Sequence, residues 1–111
     1  MTTEHNIQSE IVKYLRSKGM LVIRINSGMR GIVRFYWWWA GDKGKSKHEG
    51  VADILALDID GKFYAIEVKK PGEYATAQQY HFLQEVERRG GIAAVVWCVE
   101  DVKNLLEDIN E

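Results

Sequence analysis

Three charged side chains stand within two apolar segments, where a charge is costly unless it is paired or bound to a metal. Asp53 lies near the start of the first segment, and Glu67 and Lys69 lie at the end of the second. Two carboxylates offer the hard oxygen ligands that Mg²⁺ takes, and an adjacent ammonium can stabilise developing negative charge. These residue types predict a metal-assisted hydrolytic site. The plainer interpretation is a surface hairpin with a structural salt bridge.

The surrounding pattern predicts the hairpin that would bring these side chains together. Asp60-Gly61 favours a tight turn between the two segments. Alternation along the second segment places Glu67 and Lys69 on one face of a strand. In an antiparallel hairpin the start of one strand lies opposite the end of the next. Asp53 is therefore expected beside Glu67 and Lys69.

Hydrophobic periodicity over the 111 residues predicts an α/β domain with a mixed sheet flanked by helices. The run at 92–99 is continuously apolar, which is typical of a strand buried on both faces. The predicted elements are a helix at 4–18, a strand at 20–26, an aromatic segment at 32–39, the hairpin at 50–69, a helix at 76–89, a strand at 92–99 and a helix at 100–109.

Asp53 followed by Glu67-Val68-Lys69 resembles the metal motif of the PD-(D/E)xK nuclease superfamily. The sequences GVAD at 50–53 and TAQQYHFL at 76–83 resemble its VRR-NUC branch, and the likeness covers nearly the whole chain. Ala52 stands where that family usually has proline, a side chain that carries no chemistry. The resemblance implies a restriction-endonuclease-like fold and a Mg²⁺-dependent DNA endonuclease that accepts Mn²⁺ as a substitute. It also suggests the stand-alone viral and bacterial members.

The same resemblance implies a role for each residue of the motif. Asp53, Glu67 and the backbone carbonyl of Val68 would hold the metal. Lys69 would orient the attacking water or balance charge. Glu10 matches a glutamate that the family places on its first helix, and it would complete the metal cluster directly or through water.

Gln79 has two interpretations. It lies three residues after Thr76, the spacing of a helix capping box. It also matches a family glutamine that approaches the active site, where it would fix Lys69 or the nucleophile; the adjacent Gln78 is easily confused with it.

Charge is unevenly distributed although the net charge is only −1. Basic residues concentrate before the hairpin and acidic residues near the C-terminus, which suggests one phosphate-facing side. The glycine-rich loop at 41–50 is either simply solvated or contacts DNA phosphates. The expected DNA-binding residues are Arg30, Arg34, Lys43, Lys45, Lys47 and His48.

The aromatic run at 35–39 exceeds what one strand face of so small a domain can bury. It predicts a half-buried strand, a self-association surface or a base-stacking surface. A second copy of the chain is the simplest partner, because a two-fold contact closes on itself. The expectation is a homodimer with Tyr36, Trp37, Trp38 and Trp39 in or beside the interface.

The resemblance to the stand-alone VRR-NUC members implies cleavage of branched DNA, such as four-way (Holliday) junctions, by a homodimer. The alternatives are a nuclease for single-stranded or flap DNA and a non-catalytic nucleic-acid-binding module. The single cysteine fits a reducing compartment and the sequence lacks a membrane-spanning run, so a cytoplasmic protein is expected. The family resemblance implies that the cell is a bacterium or a phage-infected host. Cys98 is expected in the core.

Overall fold

The computed structural model describes residues 3–25 and 51–109. Its elements follow in the order α1 (Glu4–Ser17), β1 (Leu21–Arg24), β2 (Ile54–Leu57), β3 (Phe63–Val68), α2 (Ala77–Arg88), β4 (Ile92–Val96) and α3 (Val99–Ile109). The four strands form one mixed sheet in the order β1-β2-β3-β4. The β1/β2 and β2/β3 pairs are antiparallel, and β4 runs parallel to β3 after the α2 crossover. The predicted α/β sandwich is confirmed.

The two sheet faces carry separate cores because β3 alternates as its sequence predicts. Tyr64, Ile66 and Val68 join the core beneath α1 and α3. Ala65 and, in part, Phe63 pack beneath α2. Glu67 follows the parity of the second set, so it belongs to the α2 side of the sheet.

The turn of the hairpin is longer than its Asp60-Gly61 dipeptide predicts. β2 ends at Leu57 and β3 begins at Phe63, so five residues connect them. Asp58 organises this connection, since its Oδ1 accepts hydrogen bonds from the backbone N–H groups of Asp60 and Lys62, both at 2.9 Å. The side-chain hydrogen bonds of Asp58, one residue past the strand, therefore stabilise a longer connection than the two-residue turn.

The strand predicted at 92–99 ends early. β4 stops at Val96, and the carboxylate of Asp101 accepts a hydrogen bond from the backbone N–H of Trp97 at 2.8 Å, which turns the chain into α3. As the last strand of the described sheet, β4 is mostly half-buried rather than buried on both faces. The expectation that Cys98 lies in the core is wrong, because the residue falls in this turn and is exposed.

A threonine caps the start of α1 and of α2, and the second of these caps is the predicted one. Thr3 Oγ1 accepts a hydrogen bond from the backbone N–H of Asn6 at the start of α1. Thr76 and Gln79 form a complete capping box at the start of α2. Caps of this kind each contribute about 1 kcal/mol and fix where the helix begins. Among the described helices, none is long and apolar enough to cross a membrane.

Candidate active site

Asp53 and Glu67 meet at the open end of the hairpin. The register pairs Ile54 with Ile66, so the residue before the first and the residue after the second lie opposite each other. A hydrogen bond of 2.9 Å from the backbone N–H of Val68 to Asp53 Oδ2 locks the carboxylate in place. The predicted meeting of the two carboxylates is therefore found in the structure.

Glu67 is an ionisable side chain in a buried position, with only 2% of its surface exposed. Burial first, and the neighbouring Asp53 charge second, raise its pKa to about 8. Burial also raises the pKa of Asp53, against the opposing effect of the Val68 hydrogen bond. The two carboxyl groups lie close enough for each to affect the protonation of the other, and two like charges this close favour a proton on one of them when no cation is present. A divalent cation bound by both carboxylates would displace that proton and offset their mutual repulsion.

Lys69 completes the trio at the edge of the site. Its Nζ lies 3.8 Å from Glu67 Oε2, and its side chain is 14% exposed. A hydrogen bond of 2.9 Å from its backbone N–H to the carbonyl of Val96 extends the β3/β4 pairing by one residue. The ammonium is thus held beside the carboxylates while keeping a route to solvent.

Glu67 Oε1 has no hydrogen-bond partner among the described residues although it is fully buried. An unpaired buried carboxylate oxygen costs free energy, so native proteins rarely leave one without a metal, a water or a proton donor. This oxygen and the carboxylate beside it are the donor set that Mg²⁺ prefers. The residues present therefore fit a divalent cation.

The described residues offer a divalent cation two carboxylate ligands rather than a complete coordination shell. Within residues 3–25 and 51–109, no three His, Cys, Asp or Glu side chains gather closely enough to enclose a metal by themselves. Mg²⁺ commonly binds through one or two carboxylates and fills its remaining positions with water and substrate phosphate oxygens. Asp53 and Glu67 match that arrangement. The backbone carbonyl of Val68 remains a predicted third ligand.

On the first helix, Glu4 rather than the predicted Glu10 is the carboxylate that interacts electrostatically with Asp53. Glu4 is partly buried, and its pKa is raised first by that burial and then by the negative charge of Asp53. Glu10 is exposed and lies six residues further along α1, about 9 Å along the helix axis. At 3.6 residues per turn, Glu4 projects within about 20° of the fully buried Ile11, whereas Glu10 projects about 100° away. The structure thus does not bring Glu10 to the site, and the helical spacing contains the signal that identifies Glu4.

Arg24 fixes the first turn of α1 against the sheet. Its guanidinium donates to Gln8 Oε1 at 2.9 Å and to the carbonyl of His5 at 3.2 Å. β1 pairs Arg24 with Ile54, directly beside Asp53, and its positive charge offsets a small part of the rise that burial causes in the pKa of that aspartate. Arg24 thereby positions the helix that carries Glu4.

Glu73 is a second carboxylate that sequence reasoning does not identify. It lies on the turn after β3, where its backbone N–H donates to the carbonyl of Lys70 at 3.0 Å. Its negative charge contributes to the raised pKa of Glu4, and its Oε2 lies 3.7 Å from Lys70 Nζ. The indole N–H of Trp97, 24 residues away in sequence, donates to the Glu73 carbonyl at 2.7 Å. The turn follows Lys69 directly in sequence, and this tertiary contact, which no local pattern signals, holds it against the end of β4.

Gln79 is occupied by the capping box. Its Oε1 accepts a hydrogen bond from the backbone N–H of Thr76 at 2.8 Å, and its own N–H donates to Thr76 Oγ1 at 3.2 Å. Both interactions tie the residue to the first turn of α2. Its capping role is confirmed, and its catalytic role stays a prediction.

The predicted DNA-binding and dimer residues lie outside the described residues. They are Arg30, Arg34, Lys43, Lys45, Lys47 and His48, and Tyr36, Trp37, Trp38 and Trp39.

Comparison with known proteins decides the fold. A solved structure titled "VRR_NUC domain" superposes on this chain with a TM-score of 0.68, covering 96% of this chain and 97% of that one at 21% sequence identity. The chain has a VRR-NUC fold. No protein-family model matches the sequence, and no curated protein matches it. The resemblance inferred from GVAD, EVK and TAQQYHFL is thus confirmed at the level of structure. In this fold the hairpin of β2 and β3 presents Asp53, Glu67 and Lys69.

Proposed function

We propose that this protein is a Mg²⁺-dependent DNA endonuclease that hydrolyses phosphodiester bonds, with Mn²⁺ as a substitute metal. The observation that supports it most is the buried Asp53–Glu67 pair with Lys69 beside it, on a hairpin of the VRR-NUC fold. A structural salt bridge alone does not account for these groups. Replacing such a buried charge by an apolar side chain is commonly neutral or favourable for stability.

Asp53 and Glu67 would hold the metal, with the Val68 carbonyl as a further ligand. When bound, the metal supplies Lewis-acid polarisation of the phosphate and lowers the pKa of a water molecule. Lys69 orients that water and offsets the negative charge that develops on the phosphate. Glu4 extends the carboxylate set outward from Asp53. By analogy with the family, the products carry 5′-phosphate and 3′-hydroxyl ends.

The proposed substrate is branched DNA, four-way junctions above all, and the proposed active form is a homodimer. Two identical sites related by a two-fold axis suit a substrate with the same symmetry. The basic loop at 41–50 would hold the phosphates on either side of the cut. Its place in the chain, directly before the segment that carries Asp53, supports this arrangement.

A cleavage panel tests the proposal. Purified full-length protein is incubated with linear, flapped, splayed and four-way DNAs of the same sequence, with Mg²⁺ or with EDTA. Cleavage that requires Mg²⁺ and prefers the four-way DNA is the expected result. Preference for flapped or splayed DNA would favour the single-strand alternative. Binding without cleavage of any DNA in the panel would favour the alternative of a non-catalytic nucleic-acid-binding module.

A further inference from the structure

The turn that carries Glu73 also carries an exposed aromatic side chain. Tyr74 follows Glu73 directly and is 73% exposed. A lone exposed aromatic is unremarkable by itself. The surroundings of Tyr74 distinguish it, because Trp97 contacts its ring and also binds the backbone carbonyl of the preceding residue.

Trp97 holds this turn in two ways. Its indole N–H donates to the Glu73 carbonyl at 2.7 Å. Its ring meets the ring of Tyr74 edge to face, with centroids 6.2 Å apart and an interplanar angle of 73°. An edge-to-face contact leaves a face of the tyrosine ring open to a second planar partner. Trp97 therefore restrains an exposed aromatic ring that keeps an open face, which reduces the entropy lost when a ligand orders it.

The ring stands beside the carboxylates. The backbone N–H of Lys69 donates to the carbonyl of Val96 at 2.9 Å, and Trp97, the next residue, donates its indole N–H to the Glu73 carbonyl. Tyr74 is the residue after Glu73, so its Cα lies about 3.8 Å from the Cα of Glu73. Lys70, on the same turn, is half exposed and supplies positive charge. A planar group next to a bound phosphate would reach the ring.

From this arrangement we propose that Tyr74 stacks an unpaired nucleobase next to the phosphate held at Asp53 and Glu67. This inference rests on the proposed nuclease function, and it adds that the site recognises an unpaired base next to the phosphate that is cut. A paired base inside a duplex has both faces covered by its neighbours, and freeing it costs a few kcal/mol. A base at a flap, gap or open junction already offers a free face. The ring thus favours branched DNA that has an unpaired nucleotide beside the cut, an open four-way junction included, whatever its sequence, because every base has a π-face.

Equilibrium binding and base fluorescence test this. The probe is a flapped duplex with 2-aminopurine at the unpaired position adjoining the branch, and the reference is the fully paired duplex of the same sequence. Both are measured in EDTA so that neither is cut. The wild-type chain should quench the unpaired 2-aminopurine, and Tyr74→Phe should do the same. Tyr74→Ala should remove the quenching and weaken binding of the flapped DNA about 5- to 100-fold, the range that stacking one base on an aromatic ring supplies. Its affinity for the paired duplex should change less than about twofold.

Two further variants separate stacking from a structural role. Tyr74→Leu keeps an apolar contact for Trp97 but has no aromatic face, so it should behave like Tyr74→Ala while melting like the wild type. Tyr80→Ala, at a tyrosine of α2 that is 43% exposed, is the matched control and should leave quenching intact. Equal losses on both DNAs, equal losses from Tyr80→Ala, or no quenching by the wild type would overturn the proposal. Quenching by a wild-type chain that cuts no DNA would instead reject the nuclease function and leave the stacking role standing.

Discussion

Replacing Glu67 by glutamine should change how stability depends on pH. The folded chain raises the pKa of Glu67 from 4.5 to about 8, so the native state binds this proton more tightly than the unfolded state does. That contribution to stability is complete below pH 4.5 and is lost as the pH rises through about 8. In between, each pH unit removes about 1.4 kcal/mol, or roughly 4 kcal/mol from pH 5 to pH 8. A glutamine side chain at this position is neutral at every pH and keeps a donor for Asp53, so Glu67→Gln removes this slope.

Urea unfolding in EDTA at pH 5, 6.5 and 8 measures the effect. The variant should match the wild type near pH 5 and become progressively more stable than it as the pH rises. Glu107→Gln, at an exposed position on α3, is the control and should run parallel to the wild type. Adding Mg²⁺ at pH 8 should stabilise the wild type and not Glu67→Gln, since a ligand stabilises only the state that binds it. Parallel curves for Glu67→Gln and the wild type across the whole range would refute a buried, protonated Glu67.

Three other perturbations test the remaining parts of the site and its partners. Glu4→Gln should slow cleavage roughly 10- to 100-fold, as removal of a supporting group at a metal site does, while Glu10→Gln should stay within about twofold; the reverse order would restore Glu10. Changing the three lysines of the loop at 41–50 to alanine should weaken DNA binding for every sequence and reduce the salt dependence by about 0.9 log units for each phosphate that is no longer neutralised, and an unchanged slope would leave the loop solvated. Sedimentation equilibrium at micromolar concentration should show a dimer. Replacing Tyr36 and Trp38 together, or Trp37 and Trp39 together, should give one double variant that is monomeric but still folded, and a monomeric wild type would reject the homodimer.

Most of the fold follows from local patterns. The 3.6-residue and two-residue periods are short-range properties, so the described helices and strands lie close to their predicted places. The Asp53–Glu67 meeting is equally local, because only the register of one hairpin is needed to predict it. The capping box of Thr76 and Gln79 is a three-residue signal, and the structure confirms it as well.

The features that the sequence does not predict depend on tertiary contacts or competing turns. The indole of Trp97 holds the turn of Glu73 against the end of β4, and nothing within the turn itself encodes that contact. The turn length depends on a side-chain acceptor, Asp58, that outcompetes the dipeptide signal. The assignment of Glu10 is different in kind, since it rests on the family resemblance and not on the helix. The spacing of Glu4 from Ile11 already marks the inward-facing carboxylate.

Cleavage of an end-labelled four-way DNA tests the central claim most directly. The full-length wild type is compared, in Mg²⁺ and in EDTA, with Asp53→Asn and with Asp108→Asn, an exposed aspartate of α3 that serves as the matched control. The wild type and Asp108→Asn should cut only with Mg²⁺ and leave 5′-phosphate ends, while Asp53→Asn should bind the DNA and leave it intact. Cutting by Asp53→Asn at the wild-type rate, or undiminished cutting in EDTA, would contradict a metal-dependent site at Asp53 and Glu67.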